Sequence, residues 1–196
     1  MTENDKIRMF EESEAVAELL AFHFPRFEEL PRLELYMDQV LRVVSETLEV
    51  FQTEKKSKAK DKDKVLTASM VNNYVKQKVL PAPRSKRYNT EQLSYLLCLT
   101  VLKQVLSIGE ISQLIAYQQE HFPTREAYNR FCEEVETAVR TIFGGGEQAD
   151  IGEAEPKELQ VLRAAVLSFT NKIFVQKYLQ FLKQLPAEEP AGKKEG

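Results

Sequence analysis

Nearly every strong periodicity along the chain is that of a helix. Val16, Leu19 and Leu20 share one side of a short helix over 10–22. Pro25 and Pro31 then bracket a connector carrying Phe22, Phe24 and Phe27. Leu33, Met37, Val40, Leu41, Val44, Leu48 and Phe51 follow the three- and four-residue spacing of a buried stripe, which predicts a longer helix over 33–51. The pattern stops at QTEKKSKAKDKDK, where a single alanine interrupts the polar residues, so 52–64 reads as a solvated, mobile linker.

Periodicity resumes with a helix over 67–78. Thr67 suits its N-cap, and Met70, Val71, Tyr74 and Val75 form its inner stripe. Pro81 and Pro83 forbid its continuation. Asn89 or Thr90 caps a helix that is apolar nearly all round, from Leu93 to Leu106, which belongs at the centre of the core. Ser107 and Glu110 form a Ser-x-x-Glu capping box for another, with Ile108, Ile111, Leu114 and Ile115 inward. Pro123 and Thr124 open a helix carrying Phe131, Val135, Val139 and Ile142, which Gly144 to Gly146 stop. After an acidic loop over 150–155, Pro156 opens a last helix to about residue 185. No strand is expected beyond a small hairpin in the loop 79–88.

Composition narrows the class. A chain of 196 residues, 43% hydrophobic, buries roughly 70% of its unfolded surface and needs no covalent staple. Cys98 and Cys132 lack the spacing of a disulfide framework or a zinc site and fit a reducing compartment. The start, MTENDKIRMFEESE, is too polar for a signal peptide, and the longest apolar run is too short to span a bilayer. A cytoplasmic protein without membrane contact is expected. The net charge of −3 conceals an asymmetry: residues 1–54 carry −8, residues 55–87 carry +9, and residues 88–196 carry −4. An acidic body with one basic block points to a local anionic contact.

That block contains the most informative stretch of the chain. On the 67–78 helix, Ser69, Asn72, Asn73 and Lys76 fall on the face opposite Met70, Val71 and Tyr74, and Gln77 flanks them. Adjacent asparagines cost a helix several tenths of a kcal/mol each, and a plain solvent face more often uses Glu, Lys or Ala. Asparagine and glutamine can pair bidentately with adenine, at roughly 1–3 kcal/mol of discrimination per contact. The loop that follows offers Arg84, Lys86 and Arg87, with Tyr88 free to pack inward or to stack on a sugar. Cations beside base-reading amides would fix such a helix in register on a duplex. The plain alternatives are an ordinary polar helix face and a basic surface turn.

These residues carry a resemblance. The order helix, Val79-Leu80-Pro81, the basic run Arg84 to Tyr88, an apolar helix and Ser107-Ile108-x-Glu110-Ile111 resembles the DNA-binding domain of MerR-type regulators. Thr67 to Lys78 match the recognition helix, Arg84 to Tyr88 the wing, and Leu93 to Ile115 the following helix pair. More closely, the chain is similar to the bacterial domain-of-unknown-function family 1836. That likeness runs through Leu30-Pro31, Leu35-Tyr36-Met37-Asp38-Gln39-Val40, Leu66-Thr67 to Lys76, Lys86-Arg87-Tyr88 and Lys103-Gln104-Val105-Leu106-Ser107-Ile108. The resemblance implies a mainly α fold: a winged helix-turn-helix (MerR-like) core with additional N- and C-terminal helices. Two departures accompany it. MerR-type proteins join the two helices of the motif by a tight turn, where this chain has residues 52–65, and Asn72 stands where the recognition helix usually has arginine. The cysteine pattern of metal-sensing members is missing, so no metal or other cofactor is carried over.

Four regions follow: an N-terminal helix and connector (1–29), a MerR-like domain (30–118) containing the lysine-rich linker, a C-terminal helical region (119–186) and a disordered tail (187–196). No catalytic arrangement stands out. His23 and His121 are far apart and beside aromatics, Gly144 to Gly146 lack the Gly-Lys-Ser/Thr of a phosphate loop, and Glu133, Glu134 and Glu136 read as a solvated helix face. Cys98 reads as a core residue and Cys132 as a partly buried one. The expected function is therefore non-catalytic: a bacterial transcriptional regulator that binds double-stranded DNA through Ser69, Asn72, Asn73, Lys76, Gln77, Arg84, Lys86, Arg87 and Tyr88. A homodimer is expected, because one such helix reads only a few base pairs. The alternative is a helical protein-interaction module that keeps the fold without binding DNA.

Overall fold

Local capping chemistry sets the starts of four of the described helices in the computed structural model, which describes residues 2–52, 65–146 and 157–185. The lysine-rich run, the acidic loop, the start of the last helix at Pro156 and the tail lie outside the described residues. Among those described the protein is mainly helical: α1 (Glu3–Glu11), α2 (Glu14–Leu20), α3 (Met37–Thr47), α4 (Ala68–Lys76), α5 (Thr90–Leu102), α6 (Ile108–His121), α7 (Thr124–Phe143) and α8 (Lys157–Gln184). A 3-10 turn, Glu49–Phe51, follows α3. The two-residue strands β1 (Leu35–Tyr36) and β2 (Arg87–Tyr88) pair antiparallel. No described helix is long and apolar enough to cross a membrane.

The caps fall where the side chains put them. Asn89 and Gln92 satisfy each other's backbone N–H at 2.9 Å in a capping box on α5, and Ser107 and Glu110 do the same on α6. Thr67 Oγ1 accepts from the Met70 N–H at 3.2 Å and starts α4. α5 is buried over most of its length and forms the centre of the core, as its all-round apolar character predicts.

Two expected helices are divided. The 10–22 helix is two, α1 and α2. Ser13 adopts an extended conformation between them as the cap residue of α2, while a Thr2–Asp5 capping box starts α1 within the polar N-terminal stretch. The 33–51 helix begins only at Met37, because Leu35 and Tyr36 are drawn into the ladder with Tyr88 and Arg87. Leu33, expected in the buried stripe, is 80% exposed. A backbone can satisfy its hydrogen bonds in a helix or in a sheet, and a partner 51 residues away decided in favour of the sheet.

The terminal helices enclose one side of the core. Arg163 forks onto Glu134 (Nε–Oε2 2.9 Å, Nη2–Oε1 3.0 Å), and Phe174 packs on Phe143, so α7 and α8 run in the same direction. Phe10 of α1 inserts edge-on among Phe174, Tyr178 and Phe181, with ring centroids 5.2–5.5 Å apart. Phe51 links α3 to α8 through Phe169 at 5.2 Å. Two lysines of α8 close the contact: Lys172 Nζ donates to the Gln104 carbonyl at 3.0 Å and Lys177 Nζ to the Gln52 carbonyl at 2.7 Å, each just beyond a helical segment where carbonyls lack partners.

The connector 23–29 is clamped onto α7, and here a second expectation fails. Glu136 is not solvated. It accepts the Phe24 N–H at 2.8 Å and both arms of Arg26, at 2.8 and 2.9 Å, with His23 Nδ1 at 3.2 Å. Burial by itself would raise the Glu136 pKa, but the hydrogen bonds from Arg26 and from the Phe24 N–H outweigh it and hold the carboxyl below its ordinary value. Glu134 is likewise paired, with Arg163; Glu133 alone of the three is exposed. The cysteines exchange the roles expected of them. Cys132 is fully buried against the Pro25 carbonyl, whereas Cys98 is half-buried.

Candidate nucleic-acid interface

The three non-glycine residues with positive φ among those described are Lys78 (59°), Ser85 (47°) and Lys86 (62°), all in the segment that leaves α4. Left-handed backbone at non-glycine residues costs roughly 1–2 kcal/mol each and persists where its surroundings impose it. At Lys78 the cause is a helix stop. The Lys78 N–H donates to the Val75 carbonyl and the Val79 N–H to the Tyr74 carbonyl, each at 3.0 Å, which is the hydrogen-bond pair of a Schellman motif. At Ser85 and Lys86 it is a two-residue hairpin turn. Arg84 and Arg87 bridge across it, with the Arg87 N–H donating to the Arg84 carbonyl at 2.8 Å, and two successive left-handed residues match a type I′ turn. The turn presents Arg84, Lys86 and Arg87 together at the surface, and β2 follows at once.

Both ends of the segment are anchored. Val71 and Tyr74 of α4 are fully buried, as is Leu80 just past the helix. Gln92 Nε2 donates to the Pro81 carbonyl at 2.9 Å, and Thr90 Oγ1 donates to the Pro31 carbonyl at 2.7 Å, so the start of α5 holds the exit of α4 and the approach to β1. The Tyr74 hydroxyl is buried without a partner among the described residues, and burial pushes its pKa up to about 12. The Lys103 ammonium sits over the Tyr74 ring, 5.6 Å from its centre.

Eight of the nine residues singled out from the sequence are exposed. Ser69, Asn72, Asn73, Lys76 and Gln77 are exposed on the outer side of α4 and its cap, and Arg84, Lys86 and Arg87 are exposed on the hairpin. Gln77 Nε2 donates to Asn73 Oδ1 at 3.3 Å, so two of the amides orient each other. Tyr88 is the exception. At 3% exposure it packs into the core, so it cannot stack on a sugar. Alternation along β2 explains the reversal: with Arg87 outward, Tyr88 faces inward. Between residues 65 and 90 the chain has five cations (Lys76, Lys78, Arg84, Lys86, Arg87) and no acid.

One residue escaped the sequence reading. Tyr36 lies opposite Arg87 in the ladder, accepts from Arg87 Nη2 at 3.1 Å and places its ring 5.2 Å from the guanidinium. Arg87 is thereby held outward by a neutral partner that leaves its charge uncompensated. The family likeness already runs through Tyr36, but only the strand pairing gives it this task.

No group of three or more His, Cys, Asp or Glu side chains able to hold a metal ion occurs among the described residues. Comparison with curated proteins and with solved structures gave no match. The family described as Domain of unknown function (DUF1836) matches residues 25–131, more than half of the chain and all of the surface described above, and the protein is a member of that family.

Proposed function

We propose that this protein is a non-catalytic, sequence-specific DNA-binding regulator, with residues 30–118 acting as a MerR-like winged helix-turn-helix. α4 lies in the major groove and the Arg84–Arg87 hairpin against the neighbouring backbone. The observation that carries the reading is the pairing of exposed amides and a hydroxyl, Asn72, Asn73, Gln77 and Ser69, with five cations and no acid on one continuous segment. Amides discriminate bases by donor and acceptor pattern, while cations supply affinity without sequence preference. The order of elements supports the same reading: α3 and α4 pack together despite the residues between them, a hairpin follows α4, and α5 and α6 follow the hairpin. Asn72 replaces a cation on the helix, so the hairpin carries the larger share of phosphate contact. Two-fold binding, by a homodimer, gives such a short reading helix enough sequence to recognise.

A salt series tests this. With about four to six cations on phosphate, log K falls against log salt with a slope of roughly −4 to −5. A chain that fails to bind random duplex or heparin at about 50 mM salt does not bind DNA by this surface, since phosphate contact supplies essentially all non-specific affinity. That result favours the second reading, a helical interaction module. Its supporting observation is the acidic remainder of the chain, −8 over residues 1–54 and −4 over residues 88–196.

A further inference from the structure

The charges of α8 lie on the opposite side from those of an ordinary surface helix. A helix at the rim of a monomer turns apolar residues inward and charges outward. Between residues 161 and 182 the charged residues are Arg163, Lys172 and Lys177. All three turn back to the body, onto Glu134, the Gln104 carbonyl and the Gln52 carbonyl. The outward face is left without charge. It carries Val161, Ala164, Ser168, Asn171, Val175 and Leu179, three or four residues apart, and ends at the half-buried Leu182. Val161, Val175 and Leu179 are 48%, 54% and 52% exposed. Such spacing places them on one stripe of the helix, roughly 30 Å long.

The two polar members of the stripe are bonded within the helix. Ser168 Oγ donates to the Ala164 carbonyl and Asn171 Nδ2 to the Leu167 carbonyl, each at 2.8 Å. Burial of Ser168 therefore leaves no hydroxyl proton unpaired, and Asn171 keeps one N–H and its side-chain oxygen for a partner.

The composition of the chain points to what covers this face. Residues 53–64, 147–156 and 186–196 bring one large apolar residue among them, Ile151, too little to cover a stripe of this length. A second copy fits it. The stripe is centred between Asn171 and Lys172, so an antiparallel two-fold pairing sets Val161 opposite Leu182, Ala164 opposite Leu179 and Ser168 opposite Val175. In the last two layers a small residue faces a large one, the alternation by which facing helices interdigitate. Asn171 lies beside the axis, where its remaining N–H and oxygen meet those of its copy, and a single asparagine in an apolar seam fixes register.

We infer that the outward face of α8 is a homodimer interface, in which a second copy of this chain packs antiparallel across Asn171. This names the surface for the two-fold association proposed above; it rests on that part of the reading and not on the DNA contact. α8 lies beyond residues 25–131, so the interface is outside the matched family segment. A contact of this length is at the small end of specific interfaces, and a dissociation constant of about 1–50 μM is expected.

The test is sedimentation velocity of the full chain from about 1 to 300 μM, without DNA. The expected result is a concentration-dependent shift from monomer to dimer. Val175→Glu combined with Leu179→Glu should weaken it at least about 100-fold, because two carboxylates from each copy would be desolvated without a counter-charge. Leu33→Glu, at the most exposed apolar side chain elsewhere, should leave it within about two-fold. If the α8 double variant does not fold, oxidative cross-linking decides. Asn171→Cys should link to its copy at least about ten-fold faster than Ser168→Cys, whose two copies stand roughly 10 Å apart along the helix axis; the parent chain serves as the blank for Cys98. A single species of monomer mass up to about 300 μM overturns the inference. So does an equal loss from Leu33→Glu, or equal cross-linking at the two positions, the mark of parallel pairing. A monomer that still binds duplex removes this inference and keeps the DNA reading, and a dimer that does not bind duplex does the reverse.

Discussion

Arg26 and Arg87 show two ways of holding a guanidinium. Arg26 lies under the connector with both arms on Glu136 and a further bond of 2.6 Å to the Phe24 carbonyl; its pKa is pushed up, first by the Glu136 hydrogen bond. Arg87 stands on an exposed hairpin with a neutral tyrosine beside it and no acid anywhere in residues 65–90. A half-buried charge must be compensated within the fold. An exposed cluster of like charges pays only mild self-repulsion and leaves its field available to a partner. The first charge is compensated within the fold; the second stays exposed, and the proposed DNA contact rests on it.

The contrast breaks most visibly at the clamp. Glu136→Ala leaves the Phe24 N–H without its acceptor and the Arg26 charge without its counter-ion, with only the Phe24 carbonyl to bond, and should destabilise the protein by about 3 kcal/mol, measured by urea unfolding, with DNA affinity unchanged under conditions where the chain is folded. On the other surface, Asn72→Ala or Asn73→Ala should leave stability within about 0.5 kcal/mol of the parent. Each should remove about 1–3 kcal/mol of preference at one base pair, read as the ratio of affinities for a selected duplex and its single-base variants. Arg87→Ala should weaken all sequences alike and reduce the magnitude of the salt slope by about 1. An equal loss of preference from all three would contradict the division between reading and anchoring groups.

Acidity sharpens the same comparison. Because the folded-state carboxyl of Glu136 is held below its ordinary value of 4.5, its contribution is present above that pH and lost as pH falls through the lowered value. The stability of Glu136→Gln should therefore fall less steeply than that of the parent below about pH 4.5. The smallest effects come from the strained backbone. Lys78→Gly should stabilise by about 1 kcal/mol by relieving the left-handed conformation. Lys86→Gly should stabilise similarly and yet weaken DNA binding, a combination that separates strain held for presentation from strain of a helix stop.

The parts legible in the sequence are those governed by neighbours. Thr67, Asn89 and Ser107 act as caps within three residues of their partners, and Val71 and Tyr74 turn inward while Asn72 and Asn73 turn outward because α-helical period fixes both. Pro81 ends what the Lys78 turn had already stopped. Apart from the break at Ser13, the missed features rest on distant partners. Tyr36 finds Arg87 across 51 residues and Glu136 finds Arg26 across 110, so neither the strand at Leu35–Tyr36 nor the buried carboxylate carried a local signal. Tyr88 was ambiguous for the same reason: alternation gives it one of two faces, and only the pairing of β1 with β2 selects the inner one.

By itself the amino-acid order determined a mainly helical chain, the caps that begin its helices, and one acid-free cationic segment beside an amide-bearing face, since hydrogen bonds within a turn and charge along the chain need no knowledge of what lies opposite. Tertiary structure decided which carboxylates are neutralised, which way Tyr88 points, and that Cys132 is sealed while Cys98 is half-buried. Burial and long-range pairing are properties of the assembled core, where the environment of each side chain is supplied by residues far from it in the chain.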